Sequence, residues 1–254
     1  MDYVSIFFRW FHIIFGILWI GMLYFFNFVN GQFAATMDAE TKKKVVPELM
    51  PRALFWFRMG AAGTWITGIF LLGMVFETGA IYLADPSQVT GMSHVMFFSF
   101  LIAPFIYDAL AKSSLAKNPK VFAGICFALV VGLLCVYNFV FNFGYRGYLI
   151  EIGALFGTIM AYNVWFKIWP AQQKIITGIK TGNPADASLV AMAGTRSKHN
   201  TYMSVPLLWT MINMHSAFGE FANSYGWAIL AVVIAMGWMI TMQLYKRAGK
   251  VKGF

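Results

Sequence analysis

Seven long apolar runs are the feature that most limits what this chain can fold into. A helix needs about 20 mostly apolar residues to cross a bilayer, and the sequence contains seven such runs: 4–29, 53–76, 92–112, 120–142, 146–168, 201–219 and 225–245. Only 11% of the residues are charged, against roughly 25% in an ordinary soluble domain. We therefore expect an all-α fold, a polytopic bundle of about seven transmembrane helices that forms a single integral membrane domain over residues 1–254.

The lysine and arginine residues lie almost entirely on one side of this predicted bundle. Sixteen of the 19 lie in the first, third and fifth connections and in the C-terminal tail: Lys42, Lys43, Lys44, Arg52, Lys112, Lys117, Lys120, Lys167, Lys174, Lys180, Arg196, Lys198, Lys246, Arg247, Lys250 and Lys252. Arg146 alone lies on the opposite side. Because basic connections stay in the cytoplasm, we expect the N-terminus outside and the C-terminus in the cytoplasm. The basic residues form no stripe interleaved with aromatics, so we expect no nucleic-acid partner.

Ionisable side chains inside the spans are candidates for function, because a charge in hydrocarbon costs several kcal/mol unless it is paired or hydrated. At 1.5 Å per residue, His12 lies roughly 12 Å below the outer surface, and His94, His215 and Glu151 lie roughly 5–8 Å below it. Neutral imidazoles from two helices at similar depth are what a b-type haem needs as axial ligands. Arg9, three residues before His12 on the same helical face, could pair with a haem propionate.

Two alternatives limit this haem hypothesis. Any of the three histidines could instead hydrogen-bond another helix, and His94 follows Ser93 in a pattern that also starts a helix at the membrane surface. The fourth histidine, His199, lies at the cytoplasmic end of the sixth span, close to Arg196 and Lys198. We expect its side chain to be solvated or to cap a helix, and we do not expect it to bind iron.

A second polar set lies toward the cytoplasmic side of the predicted spans. Its members are Tyr24, Asn27, Arg58, Asn163, Trp165, Arg196 and Asn200. Amide and guanidinium groups beside flat aromatic rings suit a planar, hydrogen-bonding anion. A second interpretation is that Arg58 pairs with Asp108 and that the aromatic residues form an interfacial belt.

Four separated motifs follow one another in the order that is typical of a known family. They are Trp10-Phe11-His12 with Trp19-Ile20-Gly21 and the segment 24–29; 53–58 with Thr64-Trp65 and Gly68; Asn163-Val164-Trp165 with Ile168-Trp169-Pro170 and Gln172; and Arg196, Asn200, Ser204, Pro206, Leu207 and His215. These motifs resemble the membrane domain of the bacterial cytochrome c-linked urate oxidases, also called urate hydroxylases, over about residues 5–218.

The resemblance implies that the chain oxidises urate to 5-hydroxyisourate in purine degradation and passes the electrons to a cytochrome c, in the bacterial inner membrane. It implies that Arg58, Asn27 and Asn163 hold the purine and that Trp165 or Trp19 stacks on it. Together with the depth argument, it assigns His12 and His215 as the ligands of the haem iron, with His94 as the fallback.

The sequence departs from the family in two respects, and the smaller is that Lys198 and His199 stand between the motif residues Arg196 and Asn200. Full-length members continue into a further membrane crossing and a fused cytochrome c with a Cys-x-x-Cys-His motif, and this sequence has no such motif. We therefore expect a separate cytochrome c or a respiratory complex to accept the electrons. The alternatives are a non-enzymatic haem b electron-transfer subunit and a structural subunit of a larger membrane complex.

Overall fold

The computed structural model describes residues 3–183, 185–214 and 225–251. Within these ranges the regular elements are helices, and the extended backbone contributes one isolated antiparallel bridge, between Leu83 and Phe143. The predicted all-α fold is confirmed.

The described residues form ten α-helices: α1 (Tyr3–Tyr24), α2 (Gly31–Thr36), α3 (Ala39–Leu71), α4 (Gly91–Phe97), α5 (Ala103–Lys112), α6 (Pro119–Cys135), α7 (Tyr145–Tyr162), α8 (Trp169–Thr181), α9 (Ala187–Asn213) and α10 (Gly226–Ala248). Four π-helical turns extend or join them: Phe25–Asn30, Leu72–Glu77, Val136–Val140 and Asn163–Ile168. Short 3-10 turns occupy Pro86–Gln88, Ser99–Leu101 and Ser114–Lys117.

Five of the described helical stretches are long and apolar enough to cross a membrane. They are Tyr3–Thr36, Ala39–Glu77, Pro119–Val140, Tyr145–Thr181 and Gly226–Ala248. A sixth span arises if Gly91–Leu101 and Ala103–Lys112, which are bent by 45° at their junction, cross together. The predicted sixth span, 201–219, begins within α9, and its end falls outside the described residues.

The first predicted connection, between the spans 4–29 and 53–76, is largely helical. Residues 39–52 continue directly into the second span as one helix, α3, of 33 residues. At 1.5 Å per residue this helix is about 50 Å long, more than the roughly 30 Å of a hydrocarbon core. Its first turns carry exposed ion pairs spaced four residues apart, Glu40 with Lys44 and Glu48 with Arg52, which suit a helix that projects into water.

The chain divides into two compact units. The first comprises Met1–Gly68, Met160–Ser204 and Met239–Phe254, and the second comprises Ile69–Ile159 and Val205–Trp238.

Glycine residues allow the helices of the first unit to approach closely. A β-carbon at Gly60 of α3 would lie 2.8 Å from the backbone nitrogen of Trp19 in α1, and one at Gly63 would lie 2.4 Å from the Phe15 ring. Trp19 is 1% exposed. These contacts join α1 to α3, the two helices that carry His12 and Arg58.

Aromatic packing dominates the interior of the second unit. The Phe143 ring stacks on Tyr137 with centroids 4.9 Å apart, and Tyr82 packs against both Phe143 and Phe97. Gly147 at the start of α7 lets the Tyr82 backbone approach, because a β-carbon there would collide with the Tyr82 carbonyl oxygen.

Candidate functional site

Arg58 lies against two indole rings in the first unit. Its Cζ is 3.5 Å from the centroid of the Trp169 ring and 5.5 Å from that of Trp165, and its Nε donates to the Leu54 carbonyl oxygen at 3.3 Å. A guanidinium stacked in this way is stabilised by the ring and keeps its in-plane N–H groups available for a planar anion. The structure thus brings the predicted residues Arg58 and Trp165 together.

Asp108, the alternative partner of Arg58, has a different neighbour. Its carboxylate forms an ion pair with Lys112 Nζ at 2.7 Å, one turn later on α5. Arg58 thus stacks on Trp169 in the first unit, and Asp108 pairs with Lys112 in the second.

A π-helical turn places Trp165 beside Arg58. The turn Asn163–Ile168 inserts an extra residue between α7 and α8, and such turns frequently occur at functional sites. Trp165 Nε1 is buried and has no hydrogen-bond partner among the described residues. A buried N–H without a partner is a donor that a ligand oxygen can satisfy.

A buried network joins Asn163 to α9. Asn163 Nδ2 donates to Asn200 Oδ1 at 2.8 Å, Arg196 Nη1 donates to Asn163 Oδ1 at 3.4 Å, and Asn200 Nδ2 donates to the Met160 carbonyl oxygen at 3.0 Å. Asn163 and Asn200 have no exposed surface, and Arg196 is 4% exposed. The network fixes α9 against the end of α7, and it puts a second guanidinium close to the π-helical turn that carries Trp165.

Both the nitrogen and the oxygen of the Asn27 side-chain amide form hydrogen bonds. Its Nδ2 donates to the Leu23 carbonyl oxygen and to Ser197 Oγ, both at 2.9 Å, and its Oδ1 accepts from Tyr245 OH at 2.8 Å. Tyr24, one turn earlier, hydrogen-bonds Ser204 Oγ at 3.0 Å. Asn27 therefore joins α1, α9 and α10, and it can donate a hydrogen bond to a ligand only by exchanging Leu23 or Ser197.

Two residues of this region, Trp169 and Tyr245, have no signal in the sequence that predicts their contacts. Trp169 belongs to a motif of the resemblance, yet its position next to a proline at a helix start gave no reason to place it under Arg58. Tyr245 lies 218 residues from Asn27. No local pattern in α10 distinguishes it from an interfacial tyrosine.

His12 is oriented by α3 in the same unit. Its Nδ1 lies 3.1 Å from Thr67 Oγ1, and its Cε1 would lie 3.1 Å from a β-carbon at Gly68. The absence of a side chain at Gly68 therefore makes room for the imidazole. Arg9 is half-buried on the same helix.

The other histidines lie in separate surroundings. In the second unit, His94 Nδ1 contacts Glu77 Oε1 and lies 3.3 Å from Tyr82 OH. His215 lies outside the described residues. His199, for which the sequence predicts a solvated or helix-capping side chain, is half-buried in α9. Burial lowers its pKa from 6.5 to about 4, and the charges of Arg196 and Lys198 act in the same direction.

Comparison with known proteins gives one match. A family model described as urate oxidase N-terminal matches residues 37–253, which is most of the chain. Neither the curated proteins nor the solved structures include a match to the chain. The matched range contains Arg58, Asn163, Trp165 and the α9 network described above. The chain belongs to the urate oxidase N-terminal family.

Proposed function

We propose that this chain is a membrane-bound oxidoreductase that converts urate to 5-hydroxyisourate and passes the electrons through a haem b to a cytochrome c. In the balanced reaction, urate and one water give 5-hydroxyisourate, two electrons and two protons. The observation that carries the proposal is the stacked Arg58 guanidinium beside the unpartnered Trp165 indole N–H, in a chain of this family.

The first unit has the groups that a urate anion requires. Urate is flat, negatively charged and edged with carbonyl oxygens, so it pairs with a planar guanidinium in two parallel hydrogen bonds. Arg58 supplies that guanidinium, and Trp165 supplies both a ring face and an N–H donor. Asn163 extends the polar edge through its bond with Arg196. Asn27 would release Ser197 or Tyr245 in order to reach the ligand.

Trp19 is less suited to stacking on a substrate than Trp165. Its side chain is 1% exposed and its backbone packs on Gly60. Its Nε1 is also buried without a partner among the described residues. We therefore assign stacking to Trp165 and treat Trp19 as part of the packing between α1 and α3.

The His12 side chain fits a haem b ligand. An imidazole that binds iron usually keeps its other ring nitrogen hydrogen-bonded to a neighbouring group, which fixes the orientation of the ring. Thr67 is that neighbour for His12 Nδ1, so His12 would bind iron through Nε2. Arg9 would pair with a propionate, and His215 or His94 would supply the second ligand. When bound, the haem supplies a one-electron acceptor for urate oxidation.

The spectrum of the purified full chain in lipid nanodiscs tests the reaction. We expect a b-type reduced-minus-oxidised difference band that appears on addition of urate, and re-oxidation by added cytochrome c. A haem band that does not respond to urate would favour the electron-transfer subunit. A preparation without a haem band would favour the structural subunit.

Substitution of Arg58 tests the position of the pocket. We expect Arg58→Leu to weaken urate binding by about 10-fold to 100-fold, because a hydrogen bond to a charged group contributes roughly 1.5–3 kcal/mol. Its haem content should stay unchanged. Arg52→Leu is the matched control, since Arg52 lies on the same helix and is 73% exposed in a pair with Glu48. Wild-type urate affinity in the Arg58 variant would show that the pocket lies elsewhere.

A further inference from the structure

Glu151 is a buried carboxyl group in the second unit that urate binding does not use. It lies in α7 with no exposed surface. Tyr137 OH donates to its Oε2 at 3.4 Å, and its Oε1 has no hydrogen-bond partner among the described residues. No lysine, arginine or histidine in the ranges 3–183, 185–214 and 225–251 forms an ion pair with Glu151. Because a lone buried carboxylate is very costly in a low dielectric, a proton on Glu151 is the simplest way to neutralise it.

Tyr137 connects Glu151 to a second hydroxyl group, that of Ser99. Ser99 Oγ lies 2.6 Å from Tyr137 OH, which leaves the tyrosine oxygen between a serine on one side and a carboxyl group on the other. The Tyr137 ring is held by its stacking on Phe143, with an interplanar angle of 12°. The three side chains therefore form a continuous chain of exchangeable hydrogens with a fixed middle member.

Ser99 lies at the break in the bent span. The 3-10 turn Ser99–Leu101 separates α4 from α5, where the axis turns by 45°. Irregular backbone at membrane depth is tolerated where it is buried in protein or lines a hydrated space. Ser99 is half-buried, whereas Tyr137 and Glu151 are buried, so the chain of hydroxyl groups is most accessible at Ser99.

We propose that Ser99, Tyr137 and Glu151 form a proton wire and that Glu151 is its internal proton-exchange site. In the direction toward Glu151, which starts from its ionised form, the Tyr137 proton moves to Glu151 Oε2 and the Ser99 proton moves to the Tyr137 oxygen. Water at the Ser99 end then gives a proton to Ser99 and leaves as hydroxide. Each step breaks one O–H bond and forms another, and the outward direction reverses them. No electron moves, so the wire operates whether or not urate is the substrate.

The charged and titratable groups around Glu151 are compatible with this assignment. Glu77, whose Oε1 contacts His94 Nδ1, is the other carboxyl group that acts on Glu151, and its negative charge opposes a second one there. Tyr82 also lies within the electrostatic range of both carboxyl groups. Tyr145 and Tyr148 contribute buried hydroxyl groups that have no hydrogen-bond partner among the described residues. None of these groups supplies a positive charge to hold Glu151 ionised.

Infrared spectroscopy of the full chain in nanodiscs at neutral pH tests the wire. We expect a carbonyl band of a protonated carboxylic acid in the wild type and its loss in Glu151→Gln. In D2O we expect Tyr137→Phe to keep the band but to slow its hydrogen-deuterium exchange by on the order of 10²-fold, the lower end of what a positioned proton-transfer group contributes. The phenyl ring of this variant retains the stacking on Phe143.

Tyr145→Phe is the matched control, because it removes a buried hydroxyl group near the start of α7 that is not part of the wire. Exchange at the wild-type rate is expected there. Three results would overturn the proposal. They are the absence of a carbonyl band that depends on Glu151, hydrogen-deuterium exchange at the wild-type rate in Tyr137→Phe, and loss of the band when Na⁺ replaces a larger cation in the buffer. The last result would identify a cation site instead of a proton site.

Discussion

The polar side chains of the first unit differ in how fully their hydrogen-bonding groups are used. The two N–H groups of Asn27 donate to the Leu23 carbonyl oxygen and to Ser197 Oγ, and its carbonyl oxygen accepts from Tyr245 OH. Arg58, in contrast, uses Nε on a backbone carbonyl and stacks its flat face on Trp169. An anion binds most favourably to hydrogen-bond donors that do not have to break an existing hydrogen bond first. Arg58 and the Trp165 indole are therefore the groups expected to dominate ligand affinity, and Asn27 is expected to position the helices around them.

The haem ligands are predicted at the same scale. We expect His12→Ala and His215→Ala each to lose most bound haem, because both iron positions must be filled by a neutral imidazole. Thr67→Val should retain the fold but lower haem affinity by about 10-fold to 100-fold, the usual effect of losing the group that orients a ligand. The pyridine haemochrome content of each purified variant measures this.

His199→Ala is the control for that series, and it should keep its haem. Full haem occupancy in both His12→Ala and His215→Ala would contradict the ligand assignment. If only one of the two proves necessary, His94 becomes the second ligand.

His199 also predicts a pH dependence of stability. Its pKa is lowered from 6.5 to about 4 in the folded chain, so the unfolded chain binds the proton more readily. Stability is therefore fully present above pH 6.5 and is lost as the pH falls toward 4, by roughly 3 kcal/mol at 1.36 kcal/mol per pKa unit. Apparent melting temperatures over this window should fall less in His199→Gln than in the wild type. Parallel pH profiles for the two proteins would exclude His199 as the cause.

The candidate residues could be predicted from the sequence where the signal is local. Arg58 and Asn163 can be identified because a charge or an amide within an apolar run is unusual, and Trp165 follows Asn163 by two residues in a motif of the family resemblance. The partners Tyr245 of Asn27 and Trp169 of Arg58 were not found, because a contact between distant spans depends on how the helices pack. No periodicity within α10 or α8 records that packing.

At the scale of elements, the four π-helical turns hold a common feature. Each contains a polar side chain used above: Asn27, Glu77, Tyr137 and Asn163. A π-helical turn shifts the following residues around the axis by inserting one residue. The apolar runs identify the spans, but they do not reveal these insertions. An inserted residue would rotate the apolar face of an amphipathic helix, whereas a helix that is apolar on all sides has no such face to rotate.

Close packing of α1 on α3 gives a prediction for Gly60. We expect Gly60→Ala to destabilise the protein by about 1–3 kcal/mol, the usual cost of overpacking, because the added β-carbon would lie 2.8 Å from the Trp19 backbone nitrogen. Backbone atoms at this distance can move only if α1 shifts as a whole. The free energy of unfolding in a mixed-micelle titration measures the change.

Gly21→Ala is the matched control on the partner helix. A β-carbon at Gly21 meets no atom within 4 Å, and alanine favours a helix by up to about 1 kcal/mol. Gly21→Ala should be neutral or stabilising. Equal effects of the two substitutions would show that the α1 contact does not limit stability.

At the scale of the whole molecule, large apolar side chains cover much of the surface. Ile17 is 70% exposed, Phe139 65% and Phe166 67%, and they lie on three of the five helical stretches that are apolar enough to span a membrane. Phe105, on the bent pair of helices, is 64% exposed. A soluble protein rarely exposes extended apolar surface of this kind. Such side chains fit the lipid contacts of a multi-pass membrane protein.

The distribution of basic residues predicts which way this protein crosses the membrane. We expect a reporter inserted at the exposed residue Val89, in the connection from Thr78 to Gly91, to face the periplasm, and reporters at the exposed residue Leu115 and after Phe254 to face the cytoplasm. Sixteen basic residues lie on the side of Leu115 and Phe254, and Arg146 alone lies on the other. Paired alkaline phosphatase and green fluorescent protein fusions report the two locations. If the reporters at Val89 and after Phe254 both face the periplasm, the number of crossings between them is even, and the predicted odd number is wrong. If the reporters at all three sites lie on the opposite side from that predicted, the basic residues do not set the orientation.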